Sequence, residues 1–150
     1  MRGRLHKGED KWLRINQIMR DRKIGILAVQ ETHLSPEDVD DTHKLFSKRP
    51  QVYATIDPAS PQSKGVAIVV NKEVSNIVGI KTKVLIPGRA LHLTILWHAD
   101  EKLTVIAAYA PNDPTENAAF LETMEEKARG LSNPDICHLS RWTFREMSGL

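Results

Sequence analysis

One cysteine, Cys137, is all the 150-residue sequence contains, so an internal disulfide is excluded and a reducing compartment is implied. A lone thiol near the end of the chain reads as a buried or tail residue before it reads as a nucleophile. Long apolar runs are also lacking. None approaches the ~20 residues that cross a bilayer, so no membrane partner is expected. The start, Met1 to Asp10, is basic but has no apolar stretch behind it, which argues against a secretory signal and for an intracellular protein. Internal repeats and long linkers are missing as well, which at this length indicates a single domain with room for a core. Net charge is only +2, too little to mark a nucleic-acid binder by itself.

What is present is unevenly placed. Residues 1–23 carry eight Lys and Arg (Arg2, Arg4, Lys7, Lys11, Arg14, Arg20, Arg22, Lys23) against three acids. Such an arm could follow a phosphate backbone; a solvated helix face behind a loose terminus is the plainer reading. Residues 11–23 have Trp12, Ile15, Ile18 and Met19 at helical spacing. Ile24 to Val29 is a short apolar run, expected as a strand covered on both faces. Ser35-Pro36-Glu37-Asp38 opens a helix, with Ser35 as N-cap and acids in the first turn, running to about Phe46.

Strands are expected at Val52 to Ile56, Gly65 to Val70 and, with weak alternation, Ile77 to Ile86. Asp57 to Lys64 is a loop by its prolines and serines, and Pro87-Gly88 a turn. Leu91, Leu93, Ile95 and Trp97 alternate with His92, Thr94, Leu96 and His98. Leu103, Val105, Ala107 and Tyr109 line one face of the following strand, so the two form an antiparallel hairpin. Asp113 caps a helix with Glu116 three residues on, and Phe120, Leu121, Met124, Ala128 and Leu131 form its buried stripe. The class is α/β, with a mixed, mostly antiparallel sheet and flanking helices. The last stretch, "ICHLSRWTFREMSGL", has no clear period and leaves helix, strand and frayed tail all open.

Two strand ends carry polar groups: Gln30-Glu31-Thr32-His33, and Tyr109-Ala110-Pro111-Asn112. Groups just past buried strands stand on a sheet's rim, rigidly held yet open to solvent. Glu31 is a hard oxygen ligand of the type Mg²⁺ takes, since that ion uses one or two carboxylates and fills the rest with water and substrate phosphate. A metal there could neutralise charge developing on a phosphoryl oxygen. Tyr109 and Asn112 could hydrogen-bond a phosphate without adding negative charge. Taken singly, such features are more often a solvated cap and a plain turn. The six histidines offer no metal centre. His92 and His98 on one strand face are roughly 20 Å apart at about 3.3 Å per residue. His6, His43 and His138 have no ligand at useful spacing and read as solvated.

In order and content, "LAVQETHL" (27–34), "KGVAIVVNK" (64–72) and "LTVIAAYAPND" (103–113) resemble the endonuclease/exonuclease/phosphatase, or DNase I-like, superfamily. "QETHL" followed by "YAPN", with "KWLRINQIMRDRK" leading in, is similar to the endonuclease domain at the front of non-LTR retrotransposon polyproteins. The resemblance covers roughly residues 8–136, leaving 1–7 as a basic arm and 137–150 as a divergent tail. It implies a partial DNase I-like α/β sandwich and a Mg²⁺-dependent phosphodiesterase (with Mn²⁺ as an alternative ion) that nicks DNA, nuclear in location if functional. In that family the QET glutamate binds the metal, which falls on Glu31. The tyrosine that orients the phosphate or nucleophile falls on Tyr109, and the phosphate-contacting asparagine on Asn112. Gln30 would support Glu31; His33 recurs in the subgroup without an assigned role.

The family pattern is incomplete in these residues. A first strand with a metal-side asparagine would precede Met1. Neither the Gly-Asp-x-Asn motif nor the Ser-Asp-His motif with the principal base occurs; there is no Gly-Asp and no Asp-His dipeptide. "LSNPDI" (131–136) resembles the approach to Gly-Asp-x-Asn, after which the pattern is replaced, as a shifted frame, retained intron or alternative exon would do. Hydrolysis needs an activated in-line water, a metal and phosphate donors. The expectation is therefore a truncated nuclease with little or no activity, or a non-enzymatic nucleic-acid-binding remnant. A phosphoinositide or sphingomyelin branch fits the QETHL–YAPND pairing less well. An incomplete sheet is further expected to leave an unpaired edge and an uncovered face through which the chain self-associates.

Overall fold

A computed structural model describes residues 9–30, 32–60, 65–96, 101–131 and 137–140. Three helices, α1 (Glu9–Asp21), α2 (Pro36–Leu45) and α3 (Pro114–Arg129), are interleaved with strands β1 (Ile26–Gln30), β2 (Pro50–Thr55), β3 (Val66–Asn71), β4 (Lys81–Ile86), β5 (Ala90–Leu96), β6 (Lys102–Ala108) and β7 (Cys137–Ser140). The strands make two sheets, ordered β1-β3-β2 and β4-β5-β6-β7. All pairings are antiparallel except β6 with β7, which is parallel.

Period-two alternation explains how the sheets stack. On β3, whose six residues are all buried, Val66, Ile68 and Val70 face one way and Ala67 and Val69 the other. The first set meets Ala28 of β1 and, from the second sheet, Leu91, Leu93 and Ile95 of β5 with Val105 and Ala107 of β6. This is the core between the sheets. The second set meets Trp12, Ile15 and Met19 of α1, with Val29, Leu34 and Val52. On the far side α3 lays Phe120 and Met124 over Leu85, Ala90 and Ile106. The order of layers is helices, sheet, sheet, helix. Each fully buried Val, Ile or Leu contributes about 1.5–3 kcal/mol.

The DNase I-like α/β sandwich expected from the resemblance is therefore observed, over part of its extent, and the β5–β6 hairpin holds with Leu91, Leu93 and Ile95 inward. Several expectations are corrected. Among the described residues the strands form two sheets, which pack their apolar faces on each other instead of leaving that face of a single sheet uncovered. The edge strand β4 exposes Lys81 and Lys83, charges that discourage edge-to-edge pairing. It begins at Lys81, because residues 77–80 form a turn closed by Ile80 N–H donating to the Ile77 carbonyl. Leu121 is 59% exposed and leaves the α3 stripe, since the buried residues of the helix are Phe120 and Met124. Cys137–Ser140 forms a strand, one of the three outcomes left open for the tail.

His43 is half-buried and His92 buried, so neither is the freely solvated ring expected. His43 Nε2 accepts a hydrogen bond from Val52 N–H at 2.9 Å, tying α2 to β2, and His92 is buried on the outer face of β5. Burial first, then the charge of Lys72 for His43 and of Lys83 for His92, pushes both imidazoles below their ordinary range. His33 is exposed, whereas His6, His98 and Trp97 and the side chain of His138 lie outside what is described. Among the described residues no helix is long and apolar enough to cross a membrane.

Candidate functional site

Antiparallel pairing decides which strand ends meet. Gln30 at the end of β1 and Thr55 at the end of β2 both lie opposite Val66, where β3 begins. In the other sheet Ile86 at the end of β4 and Ala108 at the end of β6 both lie opposite Ala90, where β5 begins. Two cross-links then hold these ends on one rim. Gln30, 2% exposed, donates through Nε2 to the Ala108 carbonyl at 2.5 Å, and Gly88 N–H donates to Thr55 Oγ1 at 3.1 Å.

The residue before Glu31 is thus bonded to the residue before Tyr109, 78 positions along the chain. Glu31 itself lies outside the described residues. Its neighbour Thr32 has a buried hydroxyl oxygen with no hydrogen-bond partner, and Thr32 N–H donates to the Gly65 carbonyl at 3.3 Å. Gly65 has φ +151°, and a Cβ there would stand 2.6 Å from Thr32 Oγ1. A side chain at position 65 would therefore collide with the loop that carries the QETH residues.

Tyr109 is half-buried where the rim meets the core between the sheets. Its N–H donates to the Arg89 carbonyl at 2.7 Å, its carbonyl accepts from an Arg89 guanidinium nitrogen at 3.2 Å, and that guanidinium sits 5.1 Å from the phenol ring centroid. Asn112 is exposed, in the short turn between Pro111 and Asp113. That turn is rigid at both sides. Asp113 Oδ1 accepts from Thr115 and Glu116 N–H at 3.0 Å each, and the Pro111 carbonyl accepts from Asn117 Nδ2 at 3.2 Å. The N-terminus of α3, with its partial positive charge, starts one residue past Asn112's neighbour.

The rim therefore gathers Gln30, Thr32, Arg89 and Tyr109, with Asn112 three residues beyond. Arg89 went unrecognised in the sequence, where "IPGRA" reads as a turn and nothing distinguishes its arginine from a solvated one. Among the described residues no group of three or more His, Cys, Asp and Glu side chains converges. Mg²⁺ does not require one, because it uses one or two carboxylates and fills the rest with water and substrate phosphate, and the candidate carboxylate, Glu31, lies outside the described residues.

The chain is similar in fold to the AP endonuclease LMAP from Leishmania major, at TM-score 0.64 and 14% identity over 81% of this chain and 44% of that one. It is likewise similar to the Xenopus laevis APE2 catalytic domain (TM-score 0.57, 15% identity, 81% of this chain and 50% of that one). The human nocturnin catalytic domain gives TM-score 0.54 at 15% identity, over 81% of this chain and 52% of that one. These likenesses establish the DNase I-like fold. The chain spans about half the length of these solved structures. No family model and no curated protein matches the sequence.

Proposed function

We propose that this chain is part of a Mg²⁺-dependent phosphodiesterase that nicks DNA, of the retrotransposon-endonuclease kind, and that on its own it cleaves weakly or not at all. The observation that carries the reading is the Gln30–Ala108 hydrogen bond, because it joins the strand end leading to Glu31 with the strand end leading to Tyr109. Two motifs far apart in sequence then serve one rim. The two solved neighbours named as an AP endonuclease and as APE2 lend support through their shared fold.

In this reading Glu31 holds the metal, with Thr32 alongside it. Mg²⁺, when bound, supplies positive charge to a phosphoryl oxygen. Tyr109, fixed through its backbone and ring, orients the phosphodiester by a hydrogen bond from its phenol, and Asn112 donates a second from its carboxamide. Neither adds negative charge to an anionic substrate. The step these 150 residues do not account for is activation of water, since neither Gly-Asp-x-Asn nor Ser-Asp-His is among them. Positioning without a base forgoes the roughly 10²–10⁴-fold that general acid–base catalysis supplies.

Supercoiled-plasmid nicking with Mg²⁺, run beside Glu31→Ala, tests this. Trace nicking that the substitution removes supports the reading, and vigorous nicking indifferent to Glu31 overturns it. A second reading, a nucleic-acid-binding remnant without catalysis, is favoured by the eight Lys and Arg of residues 1–23. It requires salt-sensitive DNA binding that survives Glu31→Ala and Tyr109→Phe.

A further inference from the structure

We infer that Arg89 is the positioning residue of the rim, a clamp that fixes the Tyr109 phenol toward a phosphodiester. The inference deepens the proposed function and rests on it for the identity of the ligand. Its geometric part stands separately.

Arg89 grips Tyr109 in three ways. Its carbonyl accepts the Tyr109 N–H at 2.7 Å, its guanidinium donates to the Tyr109 carbonyl at 3.2 Å, and the same guanidinium stands over the ring at 5.1 Å from the centroid. Backbone contacts of this kind fix where the Cα sits, and the contact over the ring limits how the phenol swings. A planar guanidinium can donate in its own plane while presenting a face to the ring; a lysine ammonium cannot do both.

The clamp is itself anchored. Arg89 N–H donates to the Ile86 carbonyl at 3.0 Å, closing the turn between β4 and β5. Gly88, at φ +70°, donates to the buried Thr55 hydroxyl, and a Cβ on it would stand 2.8 Å from the Asp57 backbone nitrogen. The turn that carries Arg89 is thereby pressed onto the end of β2 in the opposite sheet. Orientation of this sort is what a positioned donor needs: about 1 Å of misplacement costs on the order of a hundredfold in rate.

Tyr53 and Tyr109 are the two tyrosines of the chain, so tyrosine labelled with ¹³C at Cζ gives one reporter and one internal control. Tyr53 lies on β2 opposite Ile68, packed in the core between the sheets. In the free protein, Arg89→Lys and Arg89→Gln are each expected to displace or broaden the Tyr109 signal beyond its linewidth while the Tyr53 signal stays. An unmoved Tyr109 signal in either variant overturns the clamp. So does full recovery of the wild-type signal by lysine, which would make charge alone sufficient. Should Arg89→Gln disturb Tyr53 and so the fold, Arg89→Lys alone decides.

Adding a 12-bp DNA duplex with Mg²⁺ then tests the ligand. The wild-type Tyr109 signal should move saturably and Tyr53 not, with binding weakened about tenfold in both variants, the worth of one charged hydrogen bond. If the duplex leaves wild-type Tyr109 unmoved although the free-protein shifts appear, the clamp is upheld and the nucleic-acid reading of the rim is overturned.

Discussion

Gln30 reaches from the end of β1 in one sheet to the Ala108 carbonyl at the end of β6 in the other, at 2.5 Å and with 2% of its surface exposed. Removing the amide takes this donor away from the part-buried Ala108 carbonyl. Gln30→Ala is expected to cost about 1–3 kcal/mol in urea unfolding. Gln30→Glu should cost more, because it sets a buried carboxylate against a carbonyl oxygen. A loss below about 0.5 kcal/mol, typical of surface changes, would mean the sheets are joined without this bond.

Gly65 presses on the QETH loop. With φ +151° and a would-be Cβ 2.6 Å from Thr32 Oγ1 and 3.2 Å from His33 N, alanine must displace that loop or leave its preferred backbone region. Gly65→Ala should destabilise by about 1–3 kcal/mol. It should also shift the amide signals of Thr32 and His33 more than those of β4. Equal, small shifts everywhere would count against the contact.

Acid should weaken the fold before the carboxylates titrate. His43 and His92 both sit below the ordinary value of 6.5, chiefly through burial. The folded state disfavours the protonated ring, so the unfolded chain binds the extra protons. Their contribution is fully present above about pH 6.5 and is lost as pH falls through the lowered folded-state values. Urea midpoints should therefore drop from pH 7 toward pH 5, and a His43→Gln, His92→Gln double variant should flatten that slope. An unchanged slope in the double variant would place the sensitivity elsewhere.

On α3, Met124 is 8% exposed and Leu121 is 59% exposed. Met124→Ala should cost about 2–5 kcal/mol, and Leu121→Gln less than about 0.5 kcal/mol. Comparable losses at the two positions would mean α3 packs on a different face.

Periodicity exposed most of the fold. The alternation of Leu91, Leu93 and Ile95 identified a hairpin face, and Ser35 and Asp113 marked two helix starts, since those signals are local. Leu121 misled because three- and four-residue spacings admit more than one stripe, and only the partner surface chooses among them. That the sheets would cover each other was hidden, because a half-buried strand's alternation does not say what covers it. Glu31, Tyr109 and Asn112 stood out as polar groups past two strand ends, and motif resemblance supplied their expected roles. Arg89 could not be found that way: its role depends on a turn from one hairpin meeting the end of another strand, and no spacing in "IPGRA" encodes that meeting.

A divalent ion held at Glu31 should lie beside Tyr109. Paramagnetic Mn²⁺ titrated into the tyrosine-labelled chain tests it, because broadening falls steeply with distance. The expected result is that the Tyr109 signal broadens at Mn²⁺ concentrations that spare Tyr53, and that Glu31→Gln removes the difference. Equal broadening of both signals, or a Tyr109 response indifferent to Glu31→Gln, would contradict it.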